Sequence, residues 1–196
     1  MAELDEHLKD ISEIRSMMER SSKVLSLSGL SGVSAGVVAL GGVLFAQWVH
    51  TRVAKEDVLT YLVVDASVVL VLAIGLSMLF SIRMARRKGL PIWTITSRYL
   101  VTDLAIPLVA GGLFCIALMV HRGFTFMPGT MLIFYGLSLV NASKYALKEL
   151  RYFGLIQLAL GILAVFMTEE GLNLWAFGFG VMHIVYGVWI YLRYEK

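Results

Sequence analysis

The chain has 196 residues, of which 58% are hydrophobic and 16% charged. A water-soluble domain of this length shows polar faces on its helices, whereas long stretches here are apolar nearly all round, which excludes a soluble globular fold. The net charge of +3 does not point to nucleic acid, because the basic residues cluster beside the apolar stretches, where they set membrane topology.

Residues 1–23 read as a cytoplasmic amphipathic helix ahead of a transmembrane domain over residues 24–196. Leu4, Leu8, Ile11, Ile14 and Met18 recur at steps of four and three, and Asp5, Glu6, Lys9, Asp10, Glu13 and Arg20 take the other face. Such a helix lies along the inner leaflet, covers the end of a bundle or packs on a second protomer. No cleavable leader is expected, since these residues are charged and lack an apolar core.

A bilayer's hydrocarbon core is ~30 Å thick and takes roughly 20 apolar residues of helix to cross. Six stretches meet this requirement, at about 24–49, 58–82, 99–120, 128–147, 151–168 and 172–192. The expected fold is therefore all-α, a polytopic bundle of six transmembrane helices preceded by the amphipathic helix.

The first span carries Ser28, Gly32 and Gly36 four residues apart, a spacing at which small residues admit another helix backbone to backbone. Gly32 and Gly36 are read as packing residues, inside the bundle or across a dimer. In the second span, Asp65 places a carboxylate in hydrocarbon, where it must find a donor or take up a proton. Tyr61 and Tyr135 are the nearest donors in prospect. Arg86, Arg87 and Lys88 in the second loop are expected to contact anionic headgroups, each basic residue near that surface being worth ~1 kcal/mol. Leu90-Pro91-Ile92-Trp93 reads as an interfacial segment with Trp93 at headgroup depth.

The third span is irregular. Pro107 cannot donate its backbone bond to the Asp103 carbonyl, and Gly111-Gly112 adds a second soft point. A carboxylate beside a freed carbonyl is one way to build a polar site in a membrane. Asn141 and Lys144 on the fourth span sit at similar depth, so an Asp103–Lys144 ion pair competes with a proton or cation site. Cys115 reads as a small apolar filler, with no disulfide framework around it. Tyr135 on the fourth span and Gln157 on the fifth are candidate interior residues. His183, near the middle of the sixth, shares its face with Gly180 and Gly187 and is flanked by Phe179 and Tyr186. That arrangement clears space around an imidazole for a close helix or a small pocket.

Of the 17 Lys and Arg residues, 14 fall on the side of the N-terminal segment, the second and fourth loops and the tail; only Arg52, Lys55 and Arg122 fall opposite. Short loops rich in Lys and Arg stay cytoplasmic, so both termini are expected in the cytoplasm.

No pattern fixes a catalytic centre. His50 and His121 flank the outer face, with Asp57, Glu169 and Glu170 in nearby loops, but no His-x-x-x-His or His-Glu-x-x-His spacing holds two metal ligands on one helix. Paired histidines for haem and phosphate-cradling glycine loops are also missing from the sequence. No catalytic residue, metal or cofactor is assigned, and an enzyme is not the expected class.

Two parts of the chain carry a pattern. One is Ala142-Ser143-Lys144-Tyr145, Leu150-Arg151-Tyr152-Phe153-Gly154-Leu155 and Phe177-Gly178-Phe179-Gly180-Val181-Met182-His183-Ile184-Val185-Tyr186-Gly187. The other runs from Ile14 to Lys23 and into Leu27-Ser28-Gly29-Leu30-Ser31-Gly32. In these segments the chain resembles small six-span inner-membrane proteins of Bacteroidota, a largely uncharacterised group. The resemblance implies a bacterial inner membrane and this topology, and carries no activity with it. In size and span number the chain is also similar to substrate-binding subunits of vitamin importers.

Two functions follow as expectations. The first is a membrane protein that binds or transports a small solute, lipid or ion through Asp65, Asp103, Tyr135, Gln157 and His183. The second is a non-catalytic accessory or regulatory protein acting on a partner membrane protein through the N-terminal helix and the basic second loop. Anionic lipids on the cytoplasmic side and a homo-oligomer are the other partners in view.

Overall fold

The computed structural model describes residues 28–89 and 91–196, together with Ile11. The N-terminal amphipathic helix expected over residues 1–23 lies outside the described residues. Among those described there are helices and no strand. Six helices are long and apolar enough to cross a membrane: α1 (Gly29–Arg52), α2 (Val58–Arg87), α3 (Ile95–Val120), α4 (Phe124–Ala142), α5 (Lys148–Phe166) and α6 (Thr168–Glu195).

Several boundaries move from where hydropathy puts them. The third helix begins at Ile95 because Thr94 and Ser97 form a reciprocal capping box, each side chain bonded to the other's backbone N–H. The second runs on to Arg87, so Arg83, Arg86 and Arg87 lie on its last turns rather than in a loop. Arginine is a good helix former, and the negative end of the helix dipole favours cations there. The fourth stops at Ala142, five residues early, and Tyr145 in the following turn stacks on Tyr99 at a ring separation of 5.7 Å.

Helix α6 is central. It packs on α1 along one side and on α4 and α5 along the other, while α2 packs on α1 and α3 on α4. The two principal seams are lined with glycine. A methyl group on Gly136 of α4 would meet the Gly154 carbonyl oxygen and the Leu158 nitrogen of α5, both at 2.7 Å. One on Gly187 of α6 would meet the Gly29 carbonyl oxygen of α1 at 2.5 Å and the Val33 nitrogen at 2.6 Å. Gly32 and Gly36 face this same α1–α6 seam, against Gly187 and Gly180 respectively. Without side chains there, dispersion contacts run backbone to backbone, which is how helices associate where lipid removes the hydrophobic drive.

Both ends of the described chain meet at one end of the bundle. The Glu195 carboxylate accepts from the Gly29 amide and from Ser28 Oγ, the latter at 3.1 Å, and so caps α1. Tyr194 donates to Glu149 of α5 at 2.6 Å, and Lys88 at the end of α2 donates to the Tyr194 carbonyl at 3.2 Å. The last turn of α6 thus ties α1, α2 and α5 together. Beside it lies the main apolar core: Leu100, Leu139, Ala142, Leu150 and Phe153, with Tyr135, Met182 and Tyr186 against it.

Candidate functional site

The interior polar residues separate into three places. Asp103 and its neighbours form the first, towards the end of the bundle that carries Lys144. The carbonyl that Pro107 leaves without its helical donor accepts a hydrogen bond from Asn141 Nδ2 at 2.9 Å. Asn141 Oδ1 in turn accepts from Lys144 Nζ at 2.7 Å, and Lys144 Nζ stands 3.8 Å from the Asp103 carboxylate. Carbonyl, amide, ammonium and carboxylate form one chain joining α3 to α4, and it accounts for Asp103 as structure.

This chain predicts a coupling. Asn141→Leu orphans the Asp103 carbonyl and is expected to lower stability by about 1–2 kcal/mol. Pro107→Ala supplies the missing helical donor, so the same Asn141 substitution in that background should cost at least ~1 kcal/mol less. Reversible unfolding in mixed detergent measures both, and strictly additive effects would show that Asn141 does not serve that carbonyl.

Asp65 is the second place. It is half-buried in the α1–α2 seam, its oxygens 3.5 and 3.6 Å from where a methyl on Gly42 would stand. What Gly42 makes room for is Val69, whose Cγ2 would stand 2.5 Å from that methyl; the carboxylate is at ordinary contact distance. Tyr135 is not its donor, because that hydroxyl is engaged elsewhere.

The third place brings Tyr135, Gln157 and His183 together around a single backbone oxygen. His183 Nδ1 lies 3.0 Å from the Gly178 carbonyl, which can only accept. In the neutral ring Nδ1 therefore carries the hydrogen, and Nε2 accepts from the Tyr135 hydroxyl at 2.7 Å. Gln157, wholly buried, donates its Nε2 to the same Gly178 carbonyl at 2.8 Å. Helices α4, α5 and α6 each contribute one side chain.

Aromatic rings enclose the imidazole. Tyr135 and Phe179 stack on it at 5.3 and 5.6 Å between ring centres, and Phe153 meets it edge-on at 4.8 Å. Phe153 also stacks on Tyr186 at 4.5 Å, and Trp175 lies 4.9 Å from Phe179. The helix carrying Gly178 widens into a π-helix over Ala176–Val181, a form that recurs at functional sites. A methyl at Gly178 would sit 2.7 Å from Gln157 Oε1 and 2.5 Å from Leu132 Cδ2, so a side chain there would displace the ends of both neighbours.

Two polar atoms in this region are buried without a hydrogen-bond partner among the described residues: Gln157 Oε1, an acceptor, and Trp175 Nε1, a donor. In a low-dielectric interior each orphan costs about 1–3 kcal/mol. Gly178, Phe153 and Trp175 complete this cluster and do not stand out in the sequence. The alternation Phe177-Gly178-Phe179-Gly180 is the one signal for Gly178, and it reads equally well as helix packing. Gly180 and Gly187, expected as packing residues that admit a close helix or a small pocket, admit a close helix: both face α1, a methyl on Gly180 meeting Leu40.

No protein-family model, curated protein or solved structure matches this chain.

Proposed function

We propose that this chain is a multi-pass protein of a bacterial inner membrane, both ends in the cytoplasm, that binds a small hydrogen-bonding solute in its interior. The binding residues are Tyr135, Gln157 and His183, with Trp175 as an added donor. The observation that carries this reading is the buried oxygen of Gln157, without a partner among the described residues, beside a hydrogen-bonded His–Tyr pair in an aromatic enclosure. A solute with a donor answers the Gln157 oxygen, one with an acceptor answers Trp175, and aromatic walls with few fixed polar groups suit a small ligand. Asp65 and Asp103 stand outside this site. The charge distribution supports the orientation, and the segmental resemblance supports the membrane.

The test uses Gln157→Leu. Leucine keeps the volume and removes the orphan oxygen, while the Gly178 carbonyl retains its bond from His183. The empty protein should therefore melt at the wild-type temperature or above it. Wild-type protein released gently from its native membrane should carry a small-molecule adduct in its non-denatured mass, and the variant should not. A wild-type mass free of any adduct, or an adduct unaffected by the substitution, defeats this reading. A second polypeptide in that mass would instead support the accessory role.

A further inference from the structure

Helix α2 contributes no buried residue along its 30 residues. Its outward face carries a groove of about 560 Å³ lined by Gly75, Met78, Leu79, Ile82, Arg83 and Arg86. These positions lie at i, i+3, i+4, i+7, i+8 and i+11, a single stripe along one side of a helix. The stripe is sharply divided: four apolar residues towards the bundle centre, then two arginines at the end where α2 leaves the bundle. Gly75 keeps the apolar end open, since a methyl there meets nothing within 4 Å.

We propose that this stripe binds one anionic glycerophospholipid, an acyl chain lying along Gly75 to Ile82 and the phosphate held between Arg83 and Arg86. The inference rests on α2 crossing a bilayer and is independent of the interior site. Eleven residues of helix rise about 16 Å, close to half of a hydrocarbon core ~30 Å thick. The stripe thus matches the depth of one leaflet, with the arginines where its phosphates lie. Guanidinium forks suit phosphate oxygens, which accept two parallel N–H bonds. A packed apolar helix would bury both charges uncompensated, at a cost of several kcal/mol. Free phosphate would leave the apolar two-thirds of the groove unused.

The geometry also revises which basic residues meet the headgroup. Arg83 joins Arg86 on the stripe, whereas Arg87 is rotated off it and Lys88 reaches the Tyr194 carbonyl.

The experiment is non-denaturing mass spectrometry of the full chain in neutral detergent, mixed with equal phosphatidylglycerol and phosphatidylcholine of matched acyl chains. Wild type should retain one phosphatidylglycerol with about tenfold preference, as charge-assisted bonds to the phosphate and unmatched choline charge dictate. Arg83→Ala with Arg86→Ala should abolish that preference, and the paired Lys replacements should restore part of it. Gly75→Leu, which fills the groove, should reduce retention of both lipids. Melting temperature confirms that each variant is folded. Equal retention of the two lipids by wild type, or an unchanged preference in the alanine pair, overturns the proposal. So does displacement of the lipid by soluble glycerol phosphate, which would make phosphate alone the ligand. A monomer that takes up neither lipid has this face covered by its own chain, and a lipid-free dimer by a second copy; either result also overturns it.

Discussion

Gly136→Leu should lower the stability of this protein by about 3 kcal/mol or more, the upper end of what overpacking costs. The methyl alone would stand 2.7 Å from backbone atoms of Gly154 and Leu158, and backbone in the middle of a helix cannot swing aside as a flexible side chain does. The two helices would have to part, losing dispersion contacts along the whole seam. Unfolding by graded addition of a denaturing detergent, followed by helix content, reads the effect. Gly41→Leu and Gly112→Leu are the controls, because a methyl at either position meets nothing within 4 Å. They should change stability by under ~1 kcal/mol, and in the favourable direction that replacing helical glycine implies. If all three variants unfold alike, close approach is not what holds α4 to α5.

His183→Ala is the second large loss, expected at about 3–5 kcal/mol. The ring fills space between Tyr135, Phe179 and Phe153, and its removal leaves a cavity that three helices enclose. It also strips the Tyr135 hydroxyl of its acceptor. Hydrogen bonds between membrane helices average only ~0.6 kcal/mol by double-mutant cycle, so packing should dominate. Tyr135→Phe separates the two contributions: it keeps the ring and removes only the hydroxyl, and should cost ~1 kcal/mol. A phenylalanine variant as damaged as the alanine one would assign the stability to the hydrogen bond and sink the packing account.

These outcomes bear on function differently. Gly136 holds the frame, and its substitution should disturb every interior contact at once. Gln157 shares its one bond to the frame with His183, on the Gly178 carbonyl, and offers its free oxygen to the proposed ligand. A protein that keeps its melting temperature and loses its adduct therefore distinguishes a binding site from a merely buried polar cluster.

Much of the frame was legible along the chain because lipid imposes a simple rule. Every backbone polar group must be satisfied within its own segment, so a crossing must be a long apolar helix and announces itself by hydropathy. The same reasoning made Pro107 informative: a proline inside a span must leave one carbonyl free, and the carbonyl belongs to Asp103 by helical geometry. That Asn141 answers it, rather than Lys144 alone, required the distance between α3 and α4. Hydropathy also ended α2 too soon, since it scores Arg83 to Arg87 as loop while helix propensity and the helix dipole carry the turn onwards.

The interior site lay beyond the sequence for a physical reason. Hydropathy and spacing report depth and face within one helix; they are silent on which helices are neighbours. Asp65, Asp103, Tyr135, Gln157 and His183 look equivalent as isolated polar residues in apolar runs. The glycine seams between α1 and α6 and between α4 and α5 set the facing sides of those helices, and Tyr135, Gln157 and His183 meet at one carbonyl. Helix α2, packed on α1, leaves Asp65 at the seam between them, and α3, packed on α4, brings Asp103 to Lys144. Composition and periodicity thus determined the helical class, the number of helices long and apolar enough to cross a membrane and the sites of backbone weakness, because each is a property of one segment in its solvent. Only tertiary structure decided that Gly178 is a hub and that Gln157 keeps an unanswered oxygen, because both depend on atoms brought together from three segments.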